Sequence, residues 1–328
     1  MRLSRPGIAA LVLVALSAAP TLAVGSPHSA AARSEHARVT RYWTAERQTA
    51  ATPRDFVRTN HGFKPARKPG GGSGGNVTGA TWTKGGRVST AVGKVYFTMD
   101  GQNWQCSGSV ATDTRAGYSL VLTAAHCAYD ETNYAFATNW MFIPSWGSAP
   151  SQACSATVHG CWTANALTVH QGYASAGGFN NQATRHDFAF AVVGAGGKSG
   201  NAQLDSTAGS FGLVSPIGSV TNGTRMYAFG YPAAGRYNGN VLTYCAGNII
   251  QDIYNGNNTW GLGCDMTGGS SGGGWFANFN ETTGVGSLGS LNSYGYSGIR
   301  NMYGPKFNTN TQNVYNAANG ATANTIVQ

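Results

Sequence analysis

Short runs of alternating apolar and polar residues recur along the chain after residue 90. Across residues 93–99, the apolar side chains Val95, Phe97 and Met99 stand at every second position, which is the period of a β-strand. Turn-forming pairs containing Gly separate the runs at residues 100–101, 222–223 and 255–256. Similar runs occupy residues 120–123, 188–193, 226–229 and 241–250. The pattern predicts an all-β barrel or sandwich, with a short helix near residues 311–319.

The first residues of the chain have a different pattern. Arg2 and Arg5 precede an apolar run over residues 8–19, and small residues follow up to Ala23. This arrangement predicts a secretory signal peptide over residues 1–23. The apolar run is too short to cross the roughly 30 Å of a bilayer core as a helix, which disfavours a membrane anchor.

Residues 24–75 contain few large apolar side chains and no sustained periodicity. They are rich in Ala, Arg, Thr and Pro, and they end in the glycine-rich residues 68–75. This composition predicts a propeptide followed by a flexible linker, with a plain disordered tail as the alternative. Residues 76–328 are then expected to form the folded domain.

The formal net charge of +9 does not indicate a nucleic-acid partner. The residues before Asn76 contain 11 Lys or Arg and 3 Asp or Glu, whereas the rest of the chain contains 10 and 9. The basic charge therefore belongs to the leader. A nearly neutral body has no electrostatic basis for binding phosphate backbones.

Six cysteines lie after residue 100, and an even number in an exported chain predicts three disulfides. Six cysteines allow 15 pairings, and spacing alone does not choose among them. No pair has the C-x-x-C spacing common in metal sites, so no metal is expected. The cysteines are Cys106, Cys127, Cys154, Cys161, Cys245 and Cys264.

Three segments carry candidate chemistry. His126 follows a predicted strand and precedes a cysteine, Asp187 precedes a strongly apolar strand, and Ser271 lies in a run of glycines. Taken singly, these residues would be a packed histidine, a turn residue and a flexible loop. Their joint presence in this order predicts a catalytic site.

The three motifs resemble those of the trypsin-like serine peptidases. They read T-A-A-H-C, D-x-A and G-x-S-G-G, in the order His, Asp, Ser, which differs from the order in subtilisins and α/β-hydrolases. The segment Gly230-Tyr231-Pro232 and the surroundings of Ser271 look like the bacterial branch that includes the glutamyl endopeptidases. The resemblance implies two six-stranded antiparallel β-barrels with the active site between them. It also implies a secreted, monomeric endopeptidase that acts on polypeptides without a cofactor, a nucleic acid or a membrane.

The resemblance assigns a role to each motif residue. Ser271 is the nucleophile, and His126 is first its general base and then the acid for the leaving amine. Asp187 holds the imidazole in the correct tautomer, and Asp205 is the second choice for this role. Ser270 is the second choice for the nucleophile.

The glycines beside the serine also have a predicted role. The amides of Gly269 and Ser271 would form the oxyanion hole, where losing one donor costs roughly 3–4 kcal/mol of barrier. The resemblance further implies three disulfides, namely Cys106–Cys127, Cys154–Cys161 and Cys245–Cys264.

Ser270 is a departure from the family pattern. Trypsin-like enzymes carry an acid just before the nucleophile, which pairs with the new amino terminus after activation. With a serine there, we expect that ion pair to be absent. The propeptide would then act by assisting folding or by covering the cleft.

The specificity pocket is less clear from the sequence. Asp265 lies six residues before Ser271, at the position of the acid that pairs with basic substrate residues in trypsin. It predicts a preference for basic P1 residues, although it could also be a surface loop residue beside Cys264. The absence of a histidine from residues 292–295 argues against Glu specificity. Ser293, Tyr294 and Gly295 are expected to line the substrate backbone.

Three other functions remain open at this point. An inactive peptidase homologue is disfavoured because no triad residue is substituted. An esterase is disfavoured because the sequence after Ser271 does not resemble the start of a helix. A carbohydrate-binding β-module could use exposed indoles as stacking platforms. The candidates for those platforms are Trp104, Trp140, Trp146, Trp162, Trp260 and Trp275.

Overall fold

The structure, a computed structural model, describes residues 1, 27–59, 62–65, 77–147 and 153–328. The predicted signal peptide and the glycine-rich linker lie outside the described residues, apart from Met1. No helix in the described part of the chain is long and apolar enough to cross a membrane.

The residues before the predicted domain form regular elements that the sequence pattern did not predict. The first helix begins at Pro27, a position where the missing N–H of proline costs nothing, and it is rich in the helix formers Ala and Arg. It buries Val39, and Trp43 just beyond its end is also buried. The elements are α1 (Pro27–Tyr42), α2 (Ala45–Ala50), β1 (Thr52–Pro53), β2 (Phe56–Thr59) and β3 (Gly62–Pro65).

The next part of the chain forms a closed barrel. Six antiparallel strands follow the order β6-β5-β10-β11-β12-β7, and pairing between β6 and β7 closes the ring. Side chains on one face of these strands, such as Val95, Phe97 and Val121, are fully buried. The elements are β4 (Val77–Thr81), α3 (Arg87–Ala91), β5 (Val92–Met99), β6 (Gln102–Ala111), β7 (Ser119–Thr123), β8 (Tyr129–Asp130), β9 (Ala135–Phe136), β10 (Thr138–Pro144), β11 (Trp162–His170), α4 (Gln171–Ala174), α5 (Asn181–Arg185), β12 (Ala189–Val193) and α6 (Leu204–Ala208).

The C-terminal half contains two further sheets. One has the order β18-β17-β13-β14-β4, and β16, β20 and β19 are consecutive strands of the other. Both the all-β class and the helix predicted near residues 311–319, which is α7, are confirmed. The elements are β13 (Arg225–Gly230), β14 (Thr243–Asn248), β15 (Ile250–Gln251), β16 (Thr259–Gly263), β17 (Gly274–Asn280), β18 (Val285–Leu291), β19 (Tyr294–Tyr296), β20 (Asn301–Pro305), α7 (Thr309–Gly320) and β21 (Thr325–Val327).

Residues 51–59, which we call the strap, join the two halves of the molecule. Strand β1 pairs in parallel with β6 of the barrel, where Thr52 is opposite Trp104. Strand β2 pairs in parallel with β19 of the C-terminal half, where Phe56 is opposite Tyr294. The strap therefore crosses the cleft between the halves as an extra strand of both.

Candidate active site

His126 lies in a single 3₁₀ turn, Ala125–Cys127, between β7 and β8. The Cys106–Cys127 disulfide ties this turn to β6. Nδ1 of His126 lies 2.8 Å from Oδ2 of Asp187, and the backbone N–H of His126 donates to Oδ1 of Asp187 over 2.9 Å. One carboxylate thus fixes both the ring and the turn that carries it.

Asp187 is fully buried just before β12. Its third donor is the hydroxyl of Ser293, 2.5 Å from Oδ2. A carboxylate that only accepts hydrogen bonds requires the proton of the imidazole to be on Nδ1. The arrangement leaves Nε2 of His126 as the nitrogen that faces the cleft.

Ser271 lies in the loop between β16 and β17. Gly269 and Gly272 have φ of +96° and +83°, values that L side chains rarely adopt. A Cβ on Gly272 would also lie 2.5 Å from the carbonyl oxygen of Ser107. These glycines let the loop turn tightly against β6.

Two amides of this loop have no partner in the part of the chain that the structure describes. The N–H groups of Gly269 and Ser271 donate to no acceptor, whereas their neighbours Ser270 and Gly272 donate to Thr267 and Asn292. Free amides on either side of a reactive hydroxyl provide the donors that a developing oxyanion requires. The Ser270 hydroxyl itself donates to the Thr267 carbonyl over 2.8 Å.

The strap separates the serine from the histidine. The Asp55 carboxylate lies beside the Ser271 hydroxyl, and Nε2 of His126 lies 3.2 Å from the carbonyl oxygen of Arg54. Among the described residues, no hydrogen bond joins Ser271 to His126. Ser271 is 2% exposed and His126 is 0% exposed, so solvent and substrate reach neither residue in this state.

Comparison with solved structures places this geometry in a family. The chain is 36% identical to protease Anisep from Arthrobacter nicotinovorans, over 75% of this chain and 100% of that one, with a TM-score of 0.61. It is 32% identical to the thermostable serine protease AL20 from an extremophilic microorganism, over 72% of this chain and 99% of that one, with a TM-score of 0.61. The chain belongs to the trypsin-like serine peptidases.

A Glu endopeptidase structure shares the fold of this peptidase, at 20% identity and a TM-score of 0.55, over 75% of this chain and 99% of that one. No protein-family model and no curated protein sequence matches the chain. The solved structures confirm the prediction that the chain is a trypsin-like serine peptidase of a bacterial branch.

The segment expected to line the substrate backbone is paired with the strap. The backbone of Tyr294 and Gly295 lies opposite Phe56 and Val57 of the strap. The hydroxyl of Ser293 donates to Asp187, a contact that the sequence did not predict.

The side chains of β19 are held from behind by a buried carboxylate that the sequence analysis missed. Asp252 is 0% exposed, and its Oδ2 accepts hydrogen bonds from Tyr294, Tyr296 and Thr259 at 2.5, 2.9 and 2.9 Å. This network fixes the strand against which the strap lies. No local motif marks Asp252, because its partners are more than 40 residues away along the chain for both tyrosines.

Asp265 does not present a free carboxylate. Nη2 of Arg236 lies 3.0 and 2.9 Å from its two oxygens, and the hydroxyl of Tyr237 donates to Oδ1. Asp265 is 8% exposed, whereas the Arg236 side chain is 60% exposed. A basic substrate residue would therefore have to displace an exposed arginine.

The cysteines pair as the resemblance implies, in Cys106–Cys127, Cys154–Cys161 and Cys245–Cys264. Cys106, Cys127 and His126 have ligand atoms within 4.8 Å of one another. Because both sulfurs belong to one disulfide, no thiolate is available there to hold a metal.

The tryptophans proposed as stacking platforms are mostly core residues. Trp162 and Trp275 are 0% exposed, and the indoles of Trp140, Trp146 and Trp260 are also buried. Only Trp104 of the six is partly exposed. Buried indoles do not form a sugar-stacking surface, so the structure gives no support to a carbohydrate-binding module.

Proposed function

We propose that the chain is a secreted serine endopeptidase, made with a signal peptide over residues 1–23 and kept latent by its propeptide, residues 24–75. The strongest support is the buried contact of His126 with Asp187 beside a serine loop whose two amides are free. Identity to two proteases over nearly their whole length agrees with it.

The chemistry follows from the positions of three groups. Once the strap leaves, Oγ of Ser271 attacks the carbonyl carbon of a peptide bond and its proton passes to Nε2 of His126. The amides of Gly269 and Ser271 bind the resulting oxyanion. His126 then protonates the leaving amine, and water repeats the sequence on the acyl-enzyme to release the new carboxyl terminus.

Latency follows from what the strap does to these groups. Nε2 of His126 lies against the Arg54 carbonyl, and no hydrogen bond joins it to Ser271 among the described residues. In this state Nε2 is therefore not placed to take the Ser271 proton. The Asp55 carboxylate lies beside the Ser271 hydroxyl, so the strap occupies the space that a substrate needs next to the nucleophile.

Aromatic packing fixes the strap across the cleft. The ring of Phe56 stacks on Phe179 with centroids 4.0 Å apart and meets the edge of His126 at 5.4 Å. These contacts support covering of the cleft, one of the two roles expected for the propeptide.

We keep a preference for basic P1 residues as part of the proposal. Asp265 lies six residues before Ser271 and is nearly buried, and its present partner Arg236 is exposed and can be displaced. A peptide library, read at the residue before each cut, tests the preference.

The proposed activity is tested on chain from which residues 24–75 have been removed. Ser271→Ala should lower kcat on internally quenched peptides by about 10⁶-fold, because the whole triad depends on its nucleophile. The matched control is Ser270→Ala, which loses only a bond to Thr267 and should retain most activity. Equal activity of the Ser271→Ala variant and the parent would overturn the proposal.

A further inference from the structure

A carboxylate of the peptidase body lies beside His126 and has its cationic partner in the strap. Glu131, which follows β8, is 2% exposed. Its Oε2 accepts a hydrogen bond from the Tyr173 hydroxyl at 2.7 Å and lies 3.3 Å from Nη2 of Arg54. Within the described residues, Arg54 is the only ion-pair partner of Glu131.

The guanidinium of Arg54 is held by groups that belong to the body. Nη1 donates to the backbone carbonyl of His126, and the Tyr173 hydroxyl lies close to the same guanidinium. The charge of Asp130 adds attraction, although its own carboxylate is occupied by the amides of the following turn. A fork of donors meeting a carboxylate and a carbonyl is the geometry that guanidinium suits better than ammonium.

These groups remain when the strap departs. His126 lies on the 3₁₀ turn, Glu131 on the segment after β8 and Tyr173 in α4. The Cys106–Cys127 disulfide braces the turn. Burial raises the pKa of Tyr173 well above its usual value, so its hydroxyl stays a donor to Glu131. A buried carboxylate with a single neutral donor is poorly compensated, and a new cation is attracted to it.

The place of this site along a substrate follows from the histidine. Nε2 of His126 protonates the leaving amine, so the first residue after the cut lies at that nitrogen. The atom now 3.2 Å from Nε2 is the carbonyl oxygen of Arg54. In a bound substrate, the side chain of the first or second residue after the cleaved bond would therefore lie where the side chain of Arg54 lies now.

We propose that Glu131, Tyr173 and the carbonyl of His126 form a subsite that selects substrates with arginine just after the cleaved bond, and that Arg54 of the strap occupies this subsite in the latent chain. The proposal rests on the peptidase activity proposed above. It adds a specificity determinant on the leaving-group side of the cleft, away from Asp265.

The first experiment measures binding in the full-length chain and does not need activity. Arg54→Ala empties the site, and N-methylguanidinium or its neutral isostere N-methylurea is then added. We expect N-methylguanidinium, but not N-methylurea, to raise the Tm of the Arg54→Ala variant. This increase in Tm should disappear in Arg54→Ala/Glu131→Gln and persist in Arg54→Ala/Glu281→Gln. Glu281 is a matched control because it pairs with Lys84 on the surface. A shift that survives Glu131→Gln, or equal shifts with both probes, overturns the site.

The second experiment measures selectivity after removal of residues 24–75. Quenched peptides carry arginine or its neutral isostere citrulline at the first or second position after the cut. We expect kcat/KM to favour arginine by about tenfold or more at one of these positions, the size of a charged hydrogen bond. Glu131→Gln should bring the ratio close to one while the citrulline peptide is cut as before, and Glu131→Asp should keep part of the preference.

The outcomes separate the two proposals. Cleavage of no peptide overturns the peptidase, and the subsite with it, whatever the binding experiment shows. Cleavage without an arginine preference, together with guanidinium binding in the full-length chain, shows that Glu131 only anchors the strap and overturns the subsite alone. An arginine preference unchanged by Glu131→Gln also overturns it.

Discussion

At the scale of single residues, Asp187 is fixed by three hydrogen bonds. It accepts from the backbone N–H and the ring of His126 and from the hydroxyl of Ser293. The motif around Asp187 predicted its meeting with His126, since both belong to a recognisable pattern. The Ser293 contact was not predicted, because a single serine 106 residues away has no local mark of its partner.

Asp187→Asn should lower kcat by about 10⁴-fold without unfolding the chain, because the amide stabilises the wrong imidazole tautomer. Asp205→Asn is the matched control, since Asp205 bonds Ser119 and the start of α6 far from the histidine. Steady-state kinetics on chain freed of residues 24–75 checks both variants. A loss of similar size in Asp205→Asn would show that the acid has been misassigned.

Asp265 shows where residue-level prediction from the sequence ends. The spacing to Ser271 predicts that Asp265 is the acid of the specificity pocket, but the sequence did not predict that Arg236 and Tyr237 would occupy its carboxylate. Ion pairs between separate loops follow from tertiary packing and leave no signal in either local sequence.

Removing this competitor is a direct test of the P1 preference. Arg236→Ala should raise kcat/KM for peptides with Arg or Lys at P1 by about fivefold or less, because an exposed ion pair contributes under about 1 kcal/mol. Peptides with an apolar P1 residue serve as the control and should be unaffected. An unchanged ratio of basic to apolar P1 cleavage would remove Asp265 from the specificity pocket.

At the scale of elements, the barrel strands were predictable and the strap was not. The run at residues 93–99 lies in β5 (Val92–Met99), where every residue except Thr98 is buried, and its alternating apolar residues were a sufficient local signal. The two strands of the strap pair with partners about 50 and 240 residues away. Such pairings depend on edges that only the folded protein presents.

The strap also carries a titratable group inside the cleft. Burial raises the pKa of the Asp55 carboxyl to about 6, and the opposing effects of the His126 charge, the Phe56 amide and the Ser271 hydroxyl do not cancel it. A carboxyl with a raised pKa favours the docked strap while protonated. This contribution is complete below pH 3.8, the ordinary value, and is lost as the pH rises through about 6.

Docking of the strap should therefore weaken by up to about 100-fold between pH 4 and pH 7, since two pKa units correspond to that factor. Hydrogen exchange of the β2 amides in the full-length chain, corrected for its intrinsic pH dependence, reports the change. Asp55→Asn is the control because an amide does not titrate. The same pH profile in both proteins would contradict a role for Asp55.

At the scale of the whole molecule, two halves meet at a cleft that contains the reactive groups of both. His126 and Asp187 come from the barrel and Ser271 from the C-terminal half, so the site exists only when both halves have folded together. The all-β class followed from the strand pattern, and the arrangement of the two halves followed from the family motifs. The elements before residue 66 could not be predicted, because α1 buries little beyond Val39 and shows no sustained apolar period.

The rate at which a serine-directed fluorophosphonate modifies Ser271, followed by mass spectrometry, tests the central claim most directly. It is compared in the full-length chain and in chain freed of residues 24–75. We predict slow labelling before removal and labelling many times faster afterwards, confined to Ser271. Equal rates in the two forms, or labelling of another residue in the freed enzyme, would contradict the account.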